Sequence, residues 1–177
     1  MTSTDDLMSE TPPPRPSWLP DLILFNDYGN WQQYVDALYE HYLNDFVRVQ
    51  FTVEGKRFAM RRYPQTFGKD KGFWHICGQD DDQTIPSNFS RCERIRWPKA
   101  IIVNRGDSTI KIWMDDRYKG GNGAMRVMIW FNDEYVVVLE PRRDYVLFIT
   151  AYPTEFSHTV NQLSARYLAA KGMEVLF

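Results

Sequence analysis

The second half of the chain alternates short apolar runs with short turns, and this spacing is the strongest constraint on its fold. Five runs rich in β-branched and aromatic residues follow one another over residues 99–152: KAIIVN, STIKIWMD, AMRVMIWF, YVVVLE and DYVLFITAY. The segments between them carry Gly, Asn, Asp or Pro, which favour turns. Because these connections are too short to hold a crossover helix, the sequence predicts a mostly antiparallel sheet.

Helical periodicity precedes and follows this sheet. In WQQYVDALYEHYLND, residues 31–45, apolar side chains recur every three or four positions, and Asn30 is placed to cap the helix. FSHTVNQLSARYLAAKG, residues 156–172, has a similar apolar side and ends at Gly172. The predicted fold class is therefore α+β, with an N-terminal helix, a twisted antiparallel β-sheet of about four to five strands and a C-terminal helix.

Two further regions before the sheet are predicted to be extended. The runs FVRVQFTV and KRFAMRRY flank Glu54-Gly55, which favours a hairpin because Gly readily adopts positive φ. FWHIC, residues 73–77, is predicted to be a short strand. Strand alternation would then place His75 on the same face as Phe73 and Cys77.

Residues 21–172 are predicted to form a single domain, with both ends of the chain outside it. Residues 1–20 are expected to be an extended Pro-rich tail, because TPPPRPSWLP contains five prolines in ten residues. EVLF at the end resembles the start of a viral-protease cleavage site, so residues 173–177 are interpreted as a foreign remnant.

The sequence is typical of a cytoplasmic protein. Its start is acidic and polar, unlike a signal peptide, and no apolar run approaches the ~20 residues of a membrane helix. Two cysteines fit a reducing compartment. The net charge of −2 is uneven, with −7 over residues 1–45 and +5 over residues 46–177, and this asymmetry indicates either a basic functional surface or random scatter.

The motifs of several enzyme classes are missing. There is no GxxxxGK[ST], GxGxxG, GxSxG or HExxH, which argues against a P-loop enzyme, a dinucleotide-dependent enzyme, a serine hydrolase and a zinc protease. His75, Cys77 and Cys92 could be written as three zinc ligands, but they lack a close CxxC pair. The triplet Asp80–Asp82 is interpreted as a solvated loop. We therefore predict no metal and no cofactor.

Three features together suggest metal-free RNA cleavage, in which the RNA's own 2′-OH is the nucleophile. Histidine titrates near neutral pH and can act as the base, which is the role considered for His75. The segment SRCERIRWPKAII supplies cations for the phosphoryl oxygens and an aromatic side chain for a base. The last strand ends in Thr150 and Tyr152, whose hydroxyls share one face. Taken singly, each feature also fits a structural role: a core histidine, a solvated surface, or structural hydroxyls.

The same residues carry a resemblance to a known group of nucleases. The order FWHIC, RCERIRWPKAIIVN, IKIWM, MRVMIWF and YVVVLEPRRDYVLFITAY, covering roughly residues 70–155, resembles the barnase, EndoU, colicin and RelE-like group (BECR), especially its phage- and toxin-associated members. The resemblance implies a small α+β ribonuclease with an N-terminal helix against a four-stranded antiparallel sheet. It leaves the RNA target open, and because no second histidine lies in the matching segment, it leaves the general acid open.

The residues thus predict a metal-independent endoribonuclease with RNA as substrate, and the resemblance implies that it is of toxin or phage type with an antitoxin or immunity protein as partner. The expected catalytic residues are His75, Arg94, Arg96, Lys99, Thr150 and Tyr152. The expected RNA-binding residues are Arg91, Trp97, Arg61, Arg62 and Lys71. The alternative is a non-catalytic protein-binding module of phage or mobile-element origin that engages a host factor. Convergence of His75, the arginines and the hydroxyls on one concave basic cleft would favour the nuclease. A buried His75 with arginines that point apart would favour the module.

Overall fold

A computed structural model describes residues 14–78, 89–116 and 125–177 of the chain. Within these residues it confirms the α+β class, with five α-helices and one six-stranded sheet. The acidic triplet Asp80–Asp82 and the predicted turn at residues 119–123 lie outside the described residues. No helix in the described ranges has both the length and the apolar character needed to cross a membrane.

Both predicted flanking helices are present. The helices are α1 Trp31–Tyr42, α2 Lys71–Cys77, α3 Ser90–Glu93, α4 Trp97–Val103 and α5 Ser157–Ala170. The strands are β1 Thr52–Val53, β2 Lys56–Ala59, β3 Ile110–Asp115, β4 Arg126–Phe131, β5 Tyr135–Pro141 and β6 Tyr145–Pro153. Asn30 caps α1 as predicted, because its Oδ1 accepts a hydrogen bond from the backbone N–H of Gln33 at 3.0 Å.

The strands form one sheet in the order β1-β2-β6-β5-β4-β3. Strands β3 to β6 are consecutive antiparallel neighbours, which confirms four of the five predicted runs. The β1–β2 hairpin is also confirmed, and its turn residues Glu54 and Gly55 have φ of 48° and 78°. β2 pairs with β6 in parallel, so this hairpin extends the antiparallel sheet on the β6 side.

Two segments predicted as strands, and the first residues of a third, are helical instead. KAIIVN lies largely in α4, where Pro98 occupies the first turn and Ile101 is buried. FWHIC lies within α2, which ends at Gly78 in the left-handed conformation. The first residues of FVRVQFTV continue α1 as a π-helical segment, Leu43–Arg48, with Phe46 buried. The predictions were wrong because a short apolar run has the same composition in a buried helix as in a strand.

Apolar side chains cover both faces of the sheet. On the first face, which we call the helical face, α1, α2 and α4 pack against the larger core cluster. The strand residues on this face include Val127, Ile129, Phe131, Val137, Leu139 and Phe148. On the second face, which we call the α5 face, helix α5 covers a smaller cluster. That cluster consists of Trp113, Met128, Trp130, Val136, Val138 and Leu163.

Residues 14–20 pack against the body of the protein. The indole Nε1 of Trp18 donates to Asp107 at 2.9 Å, and the indole Nε1 of Trp97 donates to the carbonyl oxygen of Pro20 at 3.0 Å. The part of the predicted tail that the structure describes therefore forms contacts with the core rather than an arm outside it. The preceding part of the tail lies outside the described residues.

The last residues of the chain also contact the body. Val175 and Phe177 pack against the larger core cluster, and the guanidinium of Arg105 lies 5.8 Å from the centre of the Phe177 ring. The segment interpreted as a foreign remnant therefore covers apolar surface of the fold in this structure.

The second half of β6 is the edge that positions the candidate site. β2 pairs only with the first residues of β6, and beyond them α2 and α3 lie beside the strand. A bulge at Val138/Leu139 shifts the register of β5 and β6. Beyond the bulge, Thr150 pairs with Val138 and lies on the α5 face, as does Tyr152, while Ala151 packs on the helical face. The predicted shared face of the two hydroxyls is confirmed.

Candidate functional site

Arg91 joins three elements of the fold at the edge of β6. Its Nε donates to the carbonyl oxygen of Ile76 at 3.2 Å. Its Nη2 donates to the carbonyl oxygen of His75 and, at 3.2 Å, to Thr150 Oγ1. These contacts with described residues use Nε and Nη2 and do not involve Nη1. The guanidinium of Arg91, a residue of α3, is therefore oriented by α2 and β6. Its Nη1 group can face a ligand.

Gly78 allows Arg91 to lie across the end of α2. It has φ of 77°, and its backbone N–H donates to the carbonyl oxygen of Trp74, which closes the helix. A Cβ built at this position would lie 2.7 Å from Cδ and 2.8 Å from Nε of Arg91. Any larger residue would therefore require both an unfavourable backbone conformation and a displaced Arg91 side chain.

The substitution Gly78→Ala is expected to destabilise the protein more than Gly55→Ala. Gly55 is a matched control, because its φ is 78° and nothing lies within 4 Å of its built Cβ. Both variants carry the left-handed backbone cost of about 1–2 kcal/mol. Gly78→Ala also weakens the hydrogen bonds of a charged group, which adds roughly 1–3 kcal/mol. Urea unfolding measures the difference, and equal losses in the two variants would contradict the role of Gly78.

An open cleft of about 330 Å³ lies beside Arg91 at the end of β6. The side chains around it mix a cation, a carboxylate, hydroxyls and an exposed aromatic ring. They belong to Ser90, Arg91, Tyr152, Pro153, Glu155, Phe156 and Thr159. The cleft is thus built from α3, β6 and the start of α5, and both Arg91 and Tyr152 line it.

A second, smaller hollow of about 50 Å³ adjoins Thr150 and Tyr152 on the α5 face. Arg126 lines this hollow, and its Nε lies 3.6 Å from the carboxylate of Glu140. Glu140 is 2% exposed and also forms an ion pair with Arg142. The sheet face next to the predicted hydroxyls therefore carries a buried charge cluster.

This buried charge cluster is not among the residues predicted from the sequence, although strand alternation contains a signal for it. In AMRVMIWF, Arg126 is in phase with Met128 and Trp130, and in YVVVLE, Glu140 is in phase with Val136 and Val138. A charged residue in phase with the buried positions of a strand is costly unless it is paired. Each strand thus carries one charged residue in phase with its buried positions, Arg126 in β4 and Glu140 in β5. The two charges have opposite sign and lie on the same side of the sheet.

His75 lies on the less buried side of α2. It and Lys71, one turn earlier, are the two half-buried residues of this helix, whose other residues are all buried. The helix overturns the strand alternation that placed His75 with Phe73 and Cys77. The carbonyl oxygen of His75 binds Arg91, so the histidine belongs to the same helical turn that anchors the guanidinium.

Cys77 and Cys92 form a buried thiol pair beneath this turn. Both are free and buried, and Cys92 Sγ lies 3.9 Å from the carbonyl oxygen of Cys77. Burial raises the pKa of the Cys77 thiol well above its usual range, which disfavours the thiolate that a metal requires. Among the described residues, no group of three or more His, Cys, Asp or Glu is arranged to hold a metal ion.

Arg94 and Trp97 face the core side of the molecule. Arg94 Nη1 donates to the carbonyl oxygen of Ser90 at 2.8 Å, and its guanidinium lies 4.9 Å from the centre of the Trp97 ring. Trp97 is 0% exposed. The indole expected to stack on an RNA base therefore presents no open face in this structure, and it stabilises the core instead.

Arg96 and Lys99 are directed to Asp45 in a separate cleft. Their nitrogens lie 3.7 and 3.8 Å from its carboxylate oxygens. Burial raises the pKa of Asp45, and the two cations oppose this effect. Burial lowers the pKa of the neighbouring His41, and the positive charge of Arg96 adds to that shift. Arg96 and Lys99 thus already compensate a half-buried carboxylate, away from Arg91.

The remaining predicted RNA-binding residues lie around the start of α2. Arg62 Nε donates at 2.9 Å to the carboxylate of Asp70, which is fully buried. Arg61 is exposed, and its carbonyl oxygen accepts from the N–H of Gly72 at 2.7 Å. Lys71 is the first residue of α2, and Arg61 and Arg62 contact the residues on either side of it. These three cations therefore border the helix that carries His75.

The structure thus brings together one part of the predicted set and separates another. Arg91, Thr150 and the backbone of His75 are in direct contact, and Tyr152 shares the adjoining cleft. Arg94, Arg96 and Lys99 point to other parts of the molecule. Searches against protein-family models, curated proteins and solved structures found no match for this chain.

Proposed function

We propose that this chain is a metal-independent endoribonuclease whose site is centred on Arg91. The observation that carries the proposal is the anchoring of Arg91 between the turn of His75 and Thr150, beside an open cleft that Tyr152 also lines. An oriented guanidinium suits a phosphodiester, because it brings a positive charge and its Nη1 group can donate to a phosphoryl oxygen while Nε and Nη2 hold it in place. Its fixed orientation favours the charge that develops in the transition state.

We assign the steps of 2′-OH attack to the other residues near Arg91. His75 takes the proton of the 2′-OH, whose oxygen forms a bond to phosphorus. The bond from phosphorus to the 5′-oxygen breaks, that oxygen takes up a proton from water, and His75 then releases its proton to water. The hydroxyls of Thr150 and Tyr152 supply hydrogen bonds near this leaving oxygen. The products are a 2′,3′-cyclic phosphate and a 5′-OH.

In this proposal Arg94, Arg96, Lys99 and Trp97 support the fold rather than the chemistry. Arg61, Arg62 and Lys71 border α2 and can extend the path of the RNA through phosphate contacts. The activity belongs to the cytoplasm, and the resemblance to toxin-associated nucleases favours an antitoxin or immunity protein as the partner that neutralises it.

The test is incubation of the full chain with a mixed-sequence RNA in the presence of EDTA. We expect fragments that end in 2′,3′-cyclic phosphate and 5′-OH, since the nucleophile is the 2′-OH. An otherwise identical 2′-O-methyl RNA is the control and should remain intact. Uncut RNA under these conditions would contradict the proposal, and so would fragments with 3′-OH and 5′-phosphate ends.

A second function is favoured by the divergence of the other cations. Arg94, Arg96 and Lys99 do not converge on the cleft, and this is the arrangement expected for a non-catalytic module that binds a host protein. Stable capture of a host protein by a chain that leaves RNA uncut would support this function.

A further inference from the structure

Phe156 is an exposed aromatic residue that lines the cleft beside Arg91. It directly precedes α5, and its side chain is 64% exposed. Its ring lies 5.6 Å from that of His158, with an angle of 20° between the two planes. The residue belongs to neither core cluster of the described residues. Its ring is therefore supported from one side by the histidine and otherwise largely open to solvent.

The position of Phe156 relates it to the anionic part of a ligand. Phe156, Arg91 and Tyr152 line the same cleft of about 330 Å³. This volume is at the lower end of small-molecule sites, which span roughly 300–1,000 Å³. Arg91 provides a cation for a phosphate, and the Phe156 ring in the same cleft provides a flat apolar surface. That pairing matches the two parts of a nucleotide.

The carboxylate in the cleft agrees with this orientation. Glu155 lines the cleft next to Phe156 and would repel a phosphate there. A base edge carries N–H groups, which a carboxylate accepts. The phosphate therefore belongs at the Arg91 end and the base at the Phe156 end.

We infer that Phe156 is a stacking platform for a nucleobase of the RNA strand, next to the phosphate held by Arg91. The inference rests on the proposed function and adds a subsite that reads no particular sequence, because every base has a flat π-face. His158 supports the platform, since its ring stacks on that of Phe156.

The experiment measures binding of a fluorescein-labelled 2′-O-methyl RNA, which the proposed mechanism cannot cleave. Loss of one base–aromatic stack should weaken the affinity of Phe156→Ala by about 5- to 150-fold. Phe156→Trp should bind like the parent. Phe67→Ala is the matched control, because Phe67 is another exposed phenylalanine, 57% exposed and outside this cleft. Urea unfolding of each variant verifies that the fold is retained.

The outcomes separate the platform from the proposed function. If the parent binds the RNA and Phe156→Ala binds within twofold of it, the platform is wrong, whether or not cleavage occurs. If the parent binds the 2′-O-methyl RNA through Phe156 but leaves ordinary RNA uncut, the platform stands and the nuclease proposal fails. A parent that binds no RNA overturns both.

Discussion

Replacing His75 by alanine is expected to lower the rate of RNA cleavage by about two to four orders of magnitude, which is the usual contribution of a general base. The variant keeps the backbone carbonyl oxygen that Arg91 binds, so the guanidinium should stay in place. The loss would therefore report the imidazole itself. Cleavage of a fluorogenic RNA in EDTA measures the rate, and far-UV circular dichroism verifies that the fold is unchanged.

His41→Ala is the matched control for this experiment. His41 is also half-buried on a helix, but it neighbours Asp45 and Arg96 rather than Arg91. It should therefore cleave RNA at the parental rate. Full activity of His75→Ala would remove His75 from the mechanism, and an equal loss in both variants would indicate an effect on folding.

The parts of the fold with a long periodic pattern could be predicted from the sequence. Helix α1 has twelve residues and β6 has nine. In each element enough successive side chains follow one period, helical in α1 and alternating in β6, to predict its type. The seven residues of α2 complete only about two helical turns. The prediction of a strand for FWHIC is wrong because a run this short fits both periods, and packing against the sheet decides between them. The same holds for KAIIVN.

The site could be predicted only where it depends on local geometry. The sequence predicts one shared face for Thr150 and Tyr152, because alternation along a strand requires no knowledge of the rest of the fold. The distinction between Arg91 and Arg96 could not be predicted, since it depends on which distant segment each side chain meets. Arg91 meets Thr150 in β6, whereas Arg96 meets Asp45 in the segment after α1.

Replacing Arg91 by alanine is expected to lower the cleavage rate by about two to three orders of magnitude, the usual effect of removing one donor that stabilises transition-state charge. Arg91→Lys should recover only a small part of this rate. A lysine keeps the charge but lacks the planar fork that spans Ile76, His75 and Thr150. Both variants are assayed on the same fluorogenic RNA, and their unfolding in urea is compared with that of the parent.

Arg105→Ala is the control that separates a catalytic role from the general loss of an anchored arginine. Arg105 is also half-buried and donates to the carbonyl oxygen of Ile102 at 3.0 Å and to Glu54 at 3.2 Å, away from the cleft. Its loss should affect stability and leave cleavage unchanged. Arg96→Ala then distinguishes the two assignments of the catalytic cation, because the sequence predicts this role for Arg96, whereas in the structure Arg96 pairs with Asp45. If Arg96→Ala lowers the rate as much as Arg91→Ala with the fold intact, the site is not centred on Arg91.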